Sequence, residues 1–256
     1  MSVPVRFRVS SAVTLVALTV LLAIIAVSCG SVFSRKYEYD EDVFLFLDGS
    51  ATVYINAAIP ALVALRGLDL DVDPHARLDL AAVRAAYETP VSRVASASGS
   101  RRENRRYVHL RIDVADIRQL AEAPPFAWSR YALGRTDSVI VYRQTVQGAA
   151  GREVGNVGWN GDEIVAFRLH LPSRVPFHNS PSREIQRGNI IVWEQKLTDR
   201  LTGVPIDIEV HMEPESILTR TLTLFGITIL LAGATFAVVI WWTLRRRRNE
   251  GLNEGS

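Results

Sequence analysis

Residues 221–244, TLTLFGITILLAGATFAVVIWWTL, form an uncharged run of 24 residues near the end of the chain. At ~1.5 Å of rise per residue, a helix over this run spans roughly 36 Å. The hydrocarbon core of a bilayer is about 30 Å thick, so one such helix crosses it. Trp241 and Trp242 fall where a belt of interfacial aromatic rings would lie, and Arg245, Arg246, Arg247 and Arg248 follow directly. Arginine is costly to carry through lipid, so the block marks the cytoplasmic side and residues 245–256 read as a basic cytoplasmic tail. Helices buried in a soluble core are usually shorter and lack a flanking charge block.

The start of the chain holds a second membrane signal. Arg6 and Arg8 lie in a short basic region, residues 1–8, ahead of an uncharged stretch whose most apolar part is Ala12 to Val27. A basic region, an apolar region and then small residues make a secretory signal, so residues 9–28 read as a signal peptide or a membrane anchor. Cys29, the single cysteine, follows Ala26-Val27-Ser28. Three readings of it stand: lipidation after cleavage, retention of the whole segment as an uncleaved anchor, or a small apolar residue near a cleaved site. One cysteine excludes an internal disulfide framework. Both basic flanks point to the cytoplasm, so residues 36–215, reached through a linker at 29–35, are expected to form one extracytoplasmic domain.

Charge supports that division. Residues 36–215 hold 21 of the 29 basic and 25 of the 27 acidic residues, a net of −4, so the basic excess belongs to the membrane flanks. A nucleic-acid binder concentrates its basic residues on the folded domain, and that class is set aside.

Within the domain, Tyr37 to Leu47 and Ala51 to Ala57 flank Asp48-Gly49 and read as a β-hairpin. Val43, Leu45 and Leu47 share one face and Phe44 and Phe46 the other, so the first strand is expected to be covered on both sides. Pro60 opens a short apolar helix over Ala61 to Leu65. Asp73-Pro74 is an N-cap and first helical residue, which predicts a helix over 74–87 ended by Pro90. Residues 91–106 read as a loop with part of a strand. Arg105 to Val114 alternates cleanly as a strand, and Asp116 caps a short helix. Strands follow at 138–146, 163–171, 189–197 and 205–212, with 198–203 short enough to join the last two as a hairpin. The expected fold class is α+β: a single domain on a mainly antiparallel sheet with two or three helices.

No catalytic motif emerges. Asp69, Asp71 and Asp73 begin like a calcium loop, but Pro74 and Leu80 stand where its glycine and bidentate glutamate belong, so a solvated turn is expected. His75, His109, His170, His178 and His211 show no zinc-ligand spacing. Ser180 and His178 share a loop without the Gly-x-Ser-x-Gly elbow of a hydrolase. Residues 155–161, GNVGWNG, lack the Lys-Ser/Thr of a phosphate loop and read as a turn around Trp159. Arg101, Arg102, Arg105 and Arg106 make the most basic spot of the domain, a solvated loop or a contact for anionic lipid headgroups. No cofactor or metal is expected.

The segment Ala26 to Cys29, the LDGSATVYI hairpin at Leu47 to Ile55, the GNIIVWEQKL strand at Gly188 to Leu197 and the span with its basic end resemble LppM-type bacterial envelope proteins. That resemblance implies a lipobox signal, one α+β domain outside the bacterial cytoplasmic membrane and a single C-terminal membrane helix. It also implies a non-enzymatic protein that handles or senses lipid or glycolipid. The usual lipobox leucine is Ala26 here, which leaves acylation of Cys29 open. The alternative is an accessory or scaffold subunit docked on an envelope protein complex. An unrecognised enzyme is the third class.

Overall fold

Along Tyr39, Glu41, Val43 and Leu45 every second side chain is buried, while Asp40, Asp42 and Phe44 between them stay half-buried. The computed structural model describes residues 37–253 except positions 103, 137 and 150, with side chains as far as Trp242. It folds this alternation into β1 (Tyr37–Leu45), which turns at Asp48-Gly49 into β2 (Ala51–Ala58). Gly49 takes a φ of 93°, open to glycine, and Asp48 Oδ1 accepts from the Ser50 backbone N–H at 2.9 Å. The expected hairpin is present, but Asp40, Asp42 and Phe44 are only half-buried and Phe46 beyond them is 49% exposed, so only one face of β1 is fully covered.

A six-stranded sheet runs in the order β3 (Ser92–Arg102), β4 (Arg105–Val114), β2, β1, β7 (Ile164–His170), β9 (Ile190–Lys196). All pairs are antiparallel except β1 with β7. A second sheet of four antiparallel strands runs β5 (Ser129–Arg135), β6 (Ile140–Val146), β10 (Ile206–Met212), β8 (Phe177–His178). The fold class is α+β and mainly antiparallel, with two sheets instead of one. The hairpin expected between β9 and β10 does not form. Leu197 is buried and starts α3 (Leu197–Leu201), which carries the chain to the other sheet. There Arg200 donates to the carbonyls of Val146 at 3.2 Å and Val204 at 2.7 Å, and to that of Gln147. Burial pulls the Arg200 pKa down to about 10.

Two helices flank the large sheet. Every residue of α1 (Ile59–Arg66) is buried, and the helix stops at Gly67 in the left-handed region. The second, α2 (Leu80–Tyr87), begins six residues later than Asp73-Pro74 implied. Asp71 and Asp73 each use Oδ1 in a turn of their own, accepting from the backbone N–H groups of Asp73 and His75, both at 2.8 Å. Asp79 caps the helix instead, accepting from Ala82 N at 2.9 Å. Residues 92–102, expected as a loop with part of a strand, form a full strand.

Register gives the large sheet two ends. Leu45, Ala51, Val114, His170 and Ile190 lie at one; Ala58, Tyr107, Ile164 and Lys196 lie at the other. At the first end the long C-terminal helix α4 (Ile217–Asn253) is attached: Ile217 N donates to Pro172 O at 2.9 Å, and Ser173 bridges to Ser216. This is called the proximal end. The β3–β4 turn and the start of α1 lie at the distal end, the length of β7 away, about 23 Å at ~3.3 Å per residue.

Residues 217–242 of α4 have a mean hydropathy of 2.3 and none is buried against the domain. Four of its threonines turn their hydroxyls back on the helix: Thr221, Thr223, Thr228 and Thr235 each donate to the carbonyl four residues back at 2.8–2.9 Å. The helix is therefore long and apolar enough to cross a membrane, with the hydroxyls of these four threonines satisfied internally.

Candidate ligand-binding cleft

At the distal end a cleft of about 600 Å³ opens between the first turn of α1, the 71–74 loop, the β3–β4 turn and the glycine-rich loop. Ile59, Pro60, Val72, Pro74, Val154 and Val157 give it apolar walls; Asp71, Asp73, Asn104, Arg105, Arg106 and Asn156 supply the polar groups. Local chemistry explains each wall. Pro60 sets the first turn of α1. Asn104 closes the tight β3–β4 turn at a φ of 59°. Gly155 and Gly158 hold φ values of 64° and 77°, which fold the 154–158 loop over the opening.

Behind this wall lies a charged knot that holds the loop in place. A register shift in β1 between Tyr37 and Tyr39 turns Glu38 inward as well as Tyr39. Glu38 pairs with Arg105 and accepts from Trp159 Nε1 at 3.1 Å. Arg105 also donates to Gly158 O at 2.7 Å and lies 3.7 Å from Glu163. Glu163 in turn accepts from the backbone N–H groups of Asn160 at 3.0 Å and Gly161 at 2.9 Å. Burial pushes the Glu38 carboxyl above its ordinary range, and Trp159 and Arg105 offset only part of that. Burial acts on Glu163 too, but the backbone N–H groups and Arg105 outweigh it and hold that carboxyl low.

The four arginines of the basic spot separate. Arg101 and Arg102 are exposed, with Arg102 over the Tyr107 ring at 5.2 Å. Arg105 is tied into the knot, and Arg106 is 5% exposed and donates to Asp71 O. The spot lies at the distal end, remote from the root of α4. Trp241 and Trp242 are exposed on α4, and its helical backbone continues through residues 245–248, whose side chains are not described. The readings of residues 1–36, Cys29 included, fall outside the described residues.

The other candidates resolve locally. Ser180 Oγ lies 3.0 Å from His178 Nδ1 beside a proximal depression of about 580 Å³, but no carboxylate among the described residues bonds that imidazole. His109 bonds Asn56 and Ser100, His170 stacks on Phe44 at 3.7 Å, and His211 meets Glu209 at 2.8 Å. Among the described residues no group of three or more His, Cys, Asp or Glu is placed to hold a metal. Among the described residues, those lining the distal cleft include no Ser, Thr, Cys, His or Lys. What they offer a ligand is apolar contact, hydrogen bonds and charge.

Sequence reading missed Glu38, Trp159 and Glu163 as a unit, and also Glu41 and Arg66, which pair deep in the core. One signal was available for Glu41: it shares the odd-numbered face of Tyr39, Val43 and Leu45.

No family model matches the chain, and no curated protein matches it. Among solved structures, the folded domain of Mycobacterium tuberculosis LppM, determined by NMR, is similar at 16% identity and a TM-score of 0.38, over 70% of this chain and 91% of that one. At that level the likeness is weak and partial.

Proposed function

We propose that this chain is a non-enzymatic, membrane-tethered envelope protein whose domain binds one amphipathic molecule, a lipid or glycolipid, in the distal cleft. The observation that carries the reading is the cleft itself. Its volume of about 600 Å³ lies in the range of small-molecule sites, and it joins apolar walls to a cluster of carboxylate, amide and guanidinium groups. Asp71, Asp73, Asn104 and Asn156 are suited to the hydroxyls of a polyol or sugar head. Arg101 and Arg102, which end β3 beside the turn that forms one wall, are exposed cations within reach of an anionic head at the rim. Ile59, Val72, Val154 and Val157 receive its apolar part. A cleft set away from the root of α4 takes a molecule that has left the membrane plane, or one presented from the envelope side.

The test is to purify the full chain from its native membrane in parallel with Val157→Arg and to compare the co-purifying lipids by mass spectrometry. A lipid or glycolipid class enriched with the parent chain and lost from the variant is expected. No enriched class, or equal enrichment in both, would remove the cleft from consideration.

A further inference from the structure

We propose that the proximal end of the domain is a bilayer-contact surface, seated on the lipid headgroups by Phe177 and Ile185. This rests on the reading of α4 as a membrane span. Outside α4, the exposed large hydrophobic side chains among the described residues are Phe46, Phe177, Ile185, Leu201 and Val204. Three of these five gather at the end from which α4 leaves. Phe46 follows β1 into the turn at that end. Phe177 pairs with His211, next to the end of β10, and Ile185 precedes the Gln186–Ile190 bridge, which lies where β9 starts opposite His170. The segment that carries the latter two is fixed to the root of the helix by Ile217 N to Pro172 O and by Glu213 N to Arg174 O, both 2.9 Å. If α4 enters a bilayer, these side chains are held at its surface by covalent and hydrogen-bonded continuity. Phe177 is 48% and Ile185 44% exposed, and both line the proximal depression, which stands open among the described residues.

Charge gives the contact its character. Arg183 and Arg187 alternate with Glu184 along the loop, while Arg174 and Arg220 share Glu213 at 3.6 Å and 3.8 Å. The four arginines against two glutamates leave a net of +2, so anionic lipid adds attraction, but the apolar insertion of Phe177 and Ile185 does not depend on it. The contact therefore persists in zwitterionic lipid.

Spin labels test this in the full chain, in a Cys29→Ala background reconstituted into phosphatidylcholine nanodiscs. Phe177→Cys and Ile185→Cys report the proposed surface, Arg101→Cys the distal end and Leu230→Cys the span. The ratio of oxygen to aqueous nickel-chelate accessibility is expected to be several-fold higher at 177 and 185 than at 101, and highest at 230. Aqueous ratios at 177 and 185 with a lipid ratio at 230 would overturn the contact while leaving the span intact. An aqueous ratio at 230 would remove the span, and the contact with it.

Discussion

Arg66 Nη2 lies 3.1 Å from Glu41 Oε2, with 3% and 0% of the two side chains exposed. The pair is not left bare. Tyr39 hydroxyl donates to Glu41 at 2.7 Å and accepts from Arg66 at 2.8 Å, and Gln144 Nε2 donates to Glu41 at 3.1 Å. Gln144 belongs to β6, so the carboxylate of Glu41 joins the two sheets. Burial opposes the charge on Arg66, but Tyr39 and Glu41 outweigh it and raise its pKa above the ordinary value. An ion pair removed from water is costly to break from one side, because the partner stays buried and uncompensated.

Arg66→Met should therefore destabilise the protein by about 3–5 kcal/mol in urea denaturation. Adding Glu41→Leu to it should recover much of that loss, since the stranded carboxylate goes as well. A single variant that loses under 1 kcal/mol, far short of that range, would show that the pair is solvated in solution.

The distal knot gives opposite pH signs to two neighbouring carboxyls. Glu163 is held below its ordinary value of 4.5, so its contribution is complete above pH 4.5 and is lost as pH falls through its folded pKa. Glu38 is held above 4.5, so the folded state keeps its proton longer and stability declines as pH rises from 4.5 through its folded pKa. Urea midpoints across this window should show Glu38→Gln removing the decline above pH 4.5. Glu163→Gln should cost about 1 kcal/mol at neutral pH and lessen the loss in acid. The same slope in both variants and the parent would mean that neither group is shifted.

Gly151 passes so close to α1 that a Cβ there would sit 1.5 Å from Ala64 O, while Arg152 N donates to Val63 O at 3.2 Å. Gly151→Ala must push the loop off the helix end, at a cost of about 1–3 kcal/mol or more. Gly134→Ala is the control, because nothing lies within 4 Å of its Cβ position. Thermal denaturation should separate the two, with the second at or slightly above the parent. Equal midpoints would place the 151–154 loop away from α1.

These sites show where the sequence was legible. Arg105 to Val114 and Ile206 to Met212 follow the two-residue period because each buries one face, and both were readable as strands. Ser92–Arg102 was not, because only Ser92 and Val94 reach the core and the rest is held by its ladder to β4. No apolar alternation is required of a strand that leaves the core. Ser129–Arg135 is hidden for a similar reason, with only Ser129 and Tyr131 buried. Asp73 and Asp79 offer the same cap chemistry, and only the tertiary fold selects the second. The distal cleft was illegible as a unit: its walls come from four segments between Ile59 and Gly158, brought together by register and not by spacing.

The domain should fold without either terminal segment. Every buried hydrophobic side chain among the described residues lies between Tyr39 and Met212, and none of the apolar stretch of α4 is buried. Removing the helix takes away the Ile217–Pro172 hydrogen bond, the Ser173–Ser216 bridge and the exposed Arg220–Glu213 pair. A surface ion pair of this kind contributes only about 0–1 kcal/mol. A segment of about 180 residues buries roughly 70% of its unfolded surface, enough for a stable core. Excised residues 36–215 should be soluble and monomeric, with mixed α and β circular dichroism and one cooperative thermal transition. Their binding to vesicles should be weak, because Phe177 and Ile185 are held at the surface by α4 in the full chain. Material that is insoluble until residues 216–253 are restored would show that the helix completes the core.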